Sequence, residues 1–168
     1  MDDQFKISKE DRLKVLVEEI KNLEEVIKRM ASNSLEIKKW TVALVAGVLA
    51  LKVGRGVSSL VAFIPLVAFW YLDAFYLRLE RLFIKKHEWL VEYRLDHDDR
   101  LFDMSIREFE NQVDSLHKIA KSSSIFPFYG SISIPLVLFV ICDLQSGWIA
   151  FLYGALFTLL ACFLVRFN

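Results

Sequence analysis

The 168-residue chain has few histidines, cysteines and prolines: 3, 2 and 3. Cys142 and Cys162 both lie in apolar sequence, without the spacing of a disulfide or zinc framework; they read as small membrane-embedded residues. His87, His97 and His117 are scattered, so no histidine cluster marks a metal centre. An excess of either charge is also missing. The 21 basic residues balance 21 acidic ones and are interleaved with them, which removes the basic patch that nucleic acid requires and reads instead as solvated helix faces. Gly-rich phosphate loops and nucleophile elbows are absent too. The chain is therefore expected to be no enzyme, with no cofactor, no resident metal and no nucleic-acid partner. A basic tip followed by an apolar run is likewise missing from the first 39 residues, which are polar and amphipathic, so no cleavable signal peptide is expected.

Apolar residues are abundant. The hydrophobic fraction is 55%, with 14 Phe and 4 Trp, above the ~45–50% of soluble domains. Yet 25% of residues are charged, and the two classes are segregated. Apolar blocks at 40–77 and 125–165 bracket a charged 47-residue middle, and each breaks once, at Gly54-Arg55-Gly56 and at Asp143-Leu144-Gln145-Ser146-Gly147. A membrane helix needs about 20 mostly apolar residues. Residues 57–77, 125–142 and 148–165 come near that length. Residues 40–53 do so if Lys52 snorkels at one end and Leu35 and Ile37 contribute at the other, a re-entrant segment being the alternative.

The expected fold class is all-α: a polytopic membrane protein with four transmembrane helices and a cytoplasmic bundle of amphipathic helices. Its parts are an N-terminal amphipathic helix (1–39), a first transmembrane hairpin (40–77), a helical pair (78–124) and a second hairpin (125–168). Residues 1–39 and 78–124 carry nine Lys+Arg each, against two, Lys52 and Arg55, in the short loops between segments. The positive-inside rule then puts both termini and the middle region in the cytoplasm, with the lipid bilayer of a bacterial inner membrane as the first partner. Trp40, Trp70, Tyr71, Tyr76 and Trp148 fall at segment ends, where amphipathic rings prefer to sit.

Apolar helices associate through small residues that let backbones approach closely. The fourth segment has such a stripe in Ala150, Gly154, Thr158 and Cys162, which suits either packing within one subunit or a homo-oligomeric seam. Ala43, Ala46, Gly47 and Ala50 form a weaker version in the first segment. Pro65 and Pro135 lie inside segments two and three, where each can kink its helix.

The polar regions read as amphipathic helices. Ser8 is a plausible N-cap, followed by Glu10 and Asp11 in the first turn. Leu13, Leu16, Ile20, Leu23, Ile27 and Met30 then recur at 3,4 spacing, a short heptad seam over residues 9–31. With no proline or glycine before Gly47, this helix can run nearly unbroken toward the membrane, Ser32-Asn33-Ser34 being the expected bend. Segment two continues outward over 78–95, followed by the polar turn Asp96-His97-Asp98-Asp99. A second helix is expected from a capping box of Ser105 and Glu108, with Ile106, Phe109, Val113, Leu116 and Ala120 on its apolar face. The three amphipathic helices bury their seams most simply as a bundle.

The candidate polar site centres on Asp73, Glu80 and Arg81. Helical spacing puts Trp70, Asp73, Leu77 and Glu80 along one side, and Asp73 sits at the apolar boundary, where a carboxylate is costly unless solvated or paired. Lys38 or Lys39 on the first helix are its expected partners. The pair reads either as a pin between two helices or as a polar site at the mouth of a pore or switch. The acidic turn at 96–99 offers carboxylates to a divalent cation, though an ordinary polar turn explains it equally.

Several short motifs resemble those of a group of small uncharacterised prokaryotic membrane proteins. They are Arg29-Met30-Ala31-Ser32-Asn33-Ser34, Lys39-Trp40, Asp73-Ala74-Phe75-Tyr76-Leu77 with Glu80-Arg81, and Phe102-Asp103-Met104-Ser105. The helical layout is also similar to the SLATT class of defence-associated membrane effectors. The resemblance implies an oligomeric inner-membrane protein that compromises the membrane when a cytoplasmic partner triggers it. A membrane-anchored sensor or scaffold that recruits a cytoplasmic protein, and a small channel or transporter, are the alternative readings.

Overall fold

A computed structural model of the chain describes residues 8–50, 61–94, 96–97, 100–143, 153–154 and 156–157. The elements follow one another as α1 (Lys9–Ala50), α2 (Phe63–Tyr93), a 3-10 helix (Arg107–Gln112), α3 (Leu116–Ala120) and α4 (Phe126–Asp143). The all-α expectation is met among the described residues.

Helix α1 starts where its sequence says it should. The Asp11 backbone N–H donates to Ser8 Oγ at 3.1 Å, and the Ser8 hydroxyl donates to Asp11 Oδ2 at 2.7 Å. This is a reciprocal cap that satisfies an orphan donor and puts a carboxylate at the positive end of the helix. The Ser8 hydroxyl, and after it Lys14, hold the Asp11 carboxyl below its ordinary range. The helix then runs 42 residues without interruption, so the bend expected at Ser32-Asn33-Ser34 does not break it. Ser34 turns its hydroxyl onto Asp73 and so does not compete for the backbone of its own helix.

The chain divides into two compact units: Met1–Ser32 with Tyr76–Asp114, and Asn33–Phe75 with Ser115–Asn168. In unit one, Leu16 and Leu23 of α1 pack on Leu90 of α2, with Ile20, Phe83 and Trp89 around them. Leu16, Ile20 and Leu23 of the heptad seam thus pack against α2 of the same chain. Leu13, expected in that seam, is instead 55% exposed; the cluster begins one turn later, at Leu16.

The helix expected from Ser105 is replaced by two short pieces, the 3-10 helix and α3. The intended cap is diverted at both ends. Ser105 N–H donates to Asp103 Oδ1 at 2.8 Å, while Glu108 pairs with Arg100. No side chain caps the 3-10 helix at Ile106. Of the expected apolar face, Phe109 is buried, while Ile119 takes the second buried position.

Unit two packs the C-terminal part of α1, the N-terminal part of α2, α3 and α4. Its buried positions recur at helical spacing: Ile37, Thr41 and Val45 on α1, Leu66 and Asp73 on α2, Ile125, Tyr129, Leu136 and Val140 around α4. Trp70 and Tyr129 stack with ring centroids 5.9 Å apart, and Trp70 Nε1 donates to the Ala120 carbonyl at 2.9 Å. Pro65 is the third residue of α2, where the backbone N–H has no intrahelical partner to lose; just before it, Ala62 is a turn between helical Val61 and Phe63. Pro135 lies inside α4, which continues through it.

Among the described residues no helix is long and apolar enough to cross a membrane. Residues 51–53 of the expected first segment, 57–60 of the second and most of the fourth lie outside the described residues.

Candidate functional site

Among the described residues, ion pairs with a buried member occur in both units. In unit two, Ser34, Lys38 and Thr41 stand four and three residues apart on α1, so they share one face. Opposite them, α2 carries Asp73, which is fully buried. Lys38 Nζ donates to Asp73 Oδ1 at 2.8 Å and lies 2.6 Å from Oδ2. It also donates to Ser34 Oγ at 2.8 Å, and the Ser34 hydroxyl donates to Asp73 Oδ1 at 2.5 Å. One carboxylate oxygen thus receives both donors, while Oδ2 has the ammonium charge beside it but no aligned hydrogen bond among the described residues.

The rest of this site is closed by backbone carbonyls. The Thr41 hydroxyl donates to the Ile37 carbonyl at 2.7 Å, and the Tyr129 hydroxyl to the Phe69 carbonyl at 3.1 Å. Such a cluster is an electrostatic lock. Its carboxylate is paired with the Lys38 ammonium, which holds α1 to α2 within unit two. Removing one member of a buried pair costs roughly 3–5 kcal/mol, because the other charge is left in the interior.

Asp73 and Lys38 are therefore brought together as expected, while the other predicted members are not. Lys39 pairs with Glu36 on the solvent side of α1 at 2.6 Å. Arg81, in unit one, lies 3.9 Å from Asp114, and Glu80 is half-buried on the same stretch of α2. The 3,4 spacing that aligned Trp70, Asp73, Leu77 and Glu80 on α2 runs across both units, Trp70 and Asp73 belonging to unit two and Leu77 and Glu80 to unit one.

Unit one holds a pair that sequence reading missed. Glu19 and Arg94 are both almost fully buried. The guanidinium grips the carboxylate with two bonds, Nε to Oε2 at 2.6 Å and Nη2 to Oε1 at 2.8 Å. The same Nη2 donates to the Arg100 carbonyl at 2.8 Å, and Phe102 N–H donates to Glu19 Oε1 at 2.5 Å. The pair thereby ties down the turn after α2, where Arg100 and Phe102 adopt φ of 55° and 59°. A left-handed conformation costs a non-glycine residue about 1–2 kcal/mol, and the buried pair offsets that strain. The signal was present: Glu19 stands three residues after Leu16 and four before Leu23, and Arg94 four after Leu90. Both acid and base lie on the seam face, not on the solvated face where mixed charges usually belong.

Beside this pair, Lys86 is buried with its ammonium 4.5 Å from the Trp89 ring centroid and 3.7 Å from Asp103 Oδ2. The Ser105 N–H, and then Lys86 and Arg100, hold the Asp103 carboxyl below its ordinary range. No group of three or more His, Cys, Asp or Glu that could hold a metal ion is present among the described residues; Asp98 and Asp99 of the acidic turn lie outside them.

The small-residue stripe of the fourth segment falls mostly outside the described residues, since Ala150, Thr158 and Cys162 are not among them. Gly154 is described, and a Cβ added there would meet nothing within 4 Å. On α1, Ala43, Ala46, Gly47 and Ala50 are all exposed. No protein-family model matches this chain, and no curated protein or solved structure matches it.

Proposed function

We propose that this chain is an oligomeric inner-membrane effector of a prokaryotic defence or stress system, which permeabilises or depolarises the membrane on a cytoplasmic cue. The observation that carries the membrane part is the surface of unit two. Ile64, Val67, Tyr71 and Phe75 make one exposed stripe on α2, Ile134, Leu138 and Ile141 another on α4, and Val42 and Leu44 are exposed on α1. Beneath them lie Ser34, Thr41 and Asp73, all buried. Apolar residues outward and charge inward is the distribution that lipid favours and water does not.

Four spanning segments, with both termini and unit one in the cytoplasm, are the topology the full apolar blocks and their flanking charges support. The stripe at Ala150, Gly154, Thr158 and Cys162 is the proposed contact between subunits. The defence role and the triggering cytoplasmic partner rest on the resemblance to SLATT-class effectors.

Reconstitution of the full chain into dye-loaded liposomes tests the reading. The expected result is insertion that resists alkaline extraction, followed by dye release when the product of the adjacent gene is added. Extraction by alkali overturns the membrane assignment. Inserted protein that binds that partner while the liposomes stay intact replaces the effector reading with the membrane-anchored scaffold.

A further inference from the structure

α3 lies just before the second apolar block, and the charge around it is of one sign. Residues 115–142 hold His117, Lys118 and Lys121 but no Asp or Glu. Lys118 is exposed and Lys121 half-buried, while Ile119 between them is fully buried. The helix is thus held by an apolar side and leaves a basic side outward. Trp70 of α2 fixes it there. Its Nε1 donates to the Ala120 carbonyl at 2.9 Å, and its ring stacks on Tyr129 and lies 6.3 Å from the Phe126 ring. One side chain therefore joins the end of α3 to the start of α4. The turn between them is tight, since the Ile125 and Phe126 N–H groups both donate to the Ser122 carbonyl. Along this turn the lysines are followed by Ser123 and Ser124, both exposed, and then by the Phe126 side chain, which is 53% exposed.

We propose that this surface is a headgroup site for an anionic phospholipid of the cytoplasmic leaflet. The inference rests on the membrane reading of unit two and names the lipid class that unit two selects. Cation, hydroxyl and ring come in the order in which a leaflet offers phosphate, ester oxygen and hydrocarbon. Lys118 and Lys121 supply charge to the phosphate, and Ser123 and Ser124 supply hydroxyl donors. The Phe126 ring meets the first methylenes of the acyl chain, at the depth where aromatic side chains settle. A zwitterionic headgroup brings its own cation beside the lysines and cancels much of the attraction, whereas an anionic headgroup keeps it. Free phosphate would satisfy the lysines but leave the Phe126 ring in water, so the exposed ring decides for the lipid.

Native mass spectrometry of the full chain in detergent micelles reads the preference, with phosphatidylglycerol or phosphatidylcholine of the same acyl chains added in turn. Two lysines are expected to favour phosphatidylglycerol by about 30-fold. K118Q/K121Q should reduce that ratio to about threefold or less, and K118R/K121R should keep it. Retention by the arginine pair separates lost charge from a misfolded chain. Lys39→Gln on α1 should leave the ratio unchanged, which separates this surface from the general charge of the interface. F126A is expected to weaken both lipids while the ratio stays. Inorganic phosphate in excess should not displace the bound lipid. The proposal is overturned if the wild-type chain binds both lipids equally, if K118Q/K121Q keeps the ratio, if Lys39→Gln lowers it as far, or if inorganic phosphate displaces the lipid. Alkaline extraction from liposomes tells the two readings apart. Protein that alkali removes overturns the membrane assignment and this site with it, whereas protein that resists alkali and binds both lipids equally overturns this site alone.

Discussion

Glu19→Gln removes one charge and almost no volume from the interior of unit one. Arg94 is 2% exposed, so its guanidinium cannot recover a water shell, and Arg has no neutral form to retreat to. Losing one member of a buried pair costs about 3–5 kcal/mol. Glutamine keeps an acceptor oxygen for the Phe102 N–H, so that contact weakens but does not vanish. Hydrogen exchange at the Phe102 and Arg94 amides is the assay, because local openings report the free energy of the unit that contains them. At 1.36 kcal/mol per tenfold, the expected acceleration is about 150- to 5,000-fold. Arg94→Met is expected to cost as much, since it strands the carboxylate. The double variant Glu19→Met/Arg94→Met strands neither charge and should lose far less than the two single losses added together. A residue of its cost, about 1–3 kcal/mol for each group, remains because the Arg100 carbonyl and Phe102 N–H lose their partners. Less than tenfold acceleration in Glu19→Gln, or simple additivity in the double variant, would refute the reasoning.

Three further outcomes are expected. Lys38→Met leaves the fully buried Asp73 without its counter-charge and should destabilise unit two by roughly 3–5 kcal/mol in detergent unfolding, whereas Ser34→Ala, which removes one donor of two, should cost about 1–2 kcal/mol. Trp70→Phe keeps the ring but loses the donor to the Ala120 carbonyl, and about 1–2 kcal/mol of stability, read from unfolding of the same unit. The Asp103 carboxyl has a folded pKa below its unfolded one, so the stability it adds is present above its unfolded pKa, about 4, and is lost as pH falls through the folded value. Asp103→Asn should therefore flatten the acid side of the unit-one stability profile, measured by exchange between pH 5 and 3, and a profile unchanged by the substitution contradicts that assignment.

Local chemistry was legible where one residue type at one spacing has one good use. Ser8 with Glu10 and Asp11 could only open a helix, and a carboxylate at Asp73 required the cation that Lys38 supplies. Reading failed where a side chain had two competing partners. Ser105 and Glu108 fit a capping box, but Asp103 takes the Ser105 N–H and Arg100 takes Glu108, so the expected helix splits into two short pieces. Glu19 was hidden for a related reason. In a run of mixed charges its seam-face spacing from Leu16 and Leu23 is visible, yet its partner is 75 residues away, so the local pattern names no cation for it. The positive φ values at Arg100 and Phe102 carry no sequence mark at all, since neither position is glycine or asparagine; tertiary bonds alone impose them.

The Lys38–Asp73 pair is wet at one end and dry at the other: the Lys38 side chain keeps 23% of its surface, the Asp73 side chain none. Of the two members, only the Lys38 side chain reaches solvent. Acylation of that amine would cancel its charge without any reagent touching the acid, and the carboxylate would be left in the interior beside the Ser34 and Tyr129 hydroxyls. The acid has to be hidden for the helices to hold, while its counter-ion stays within reach of the chemistry outside. A modification confined to the surface thereby acts on the deepest charge in unit two.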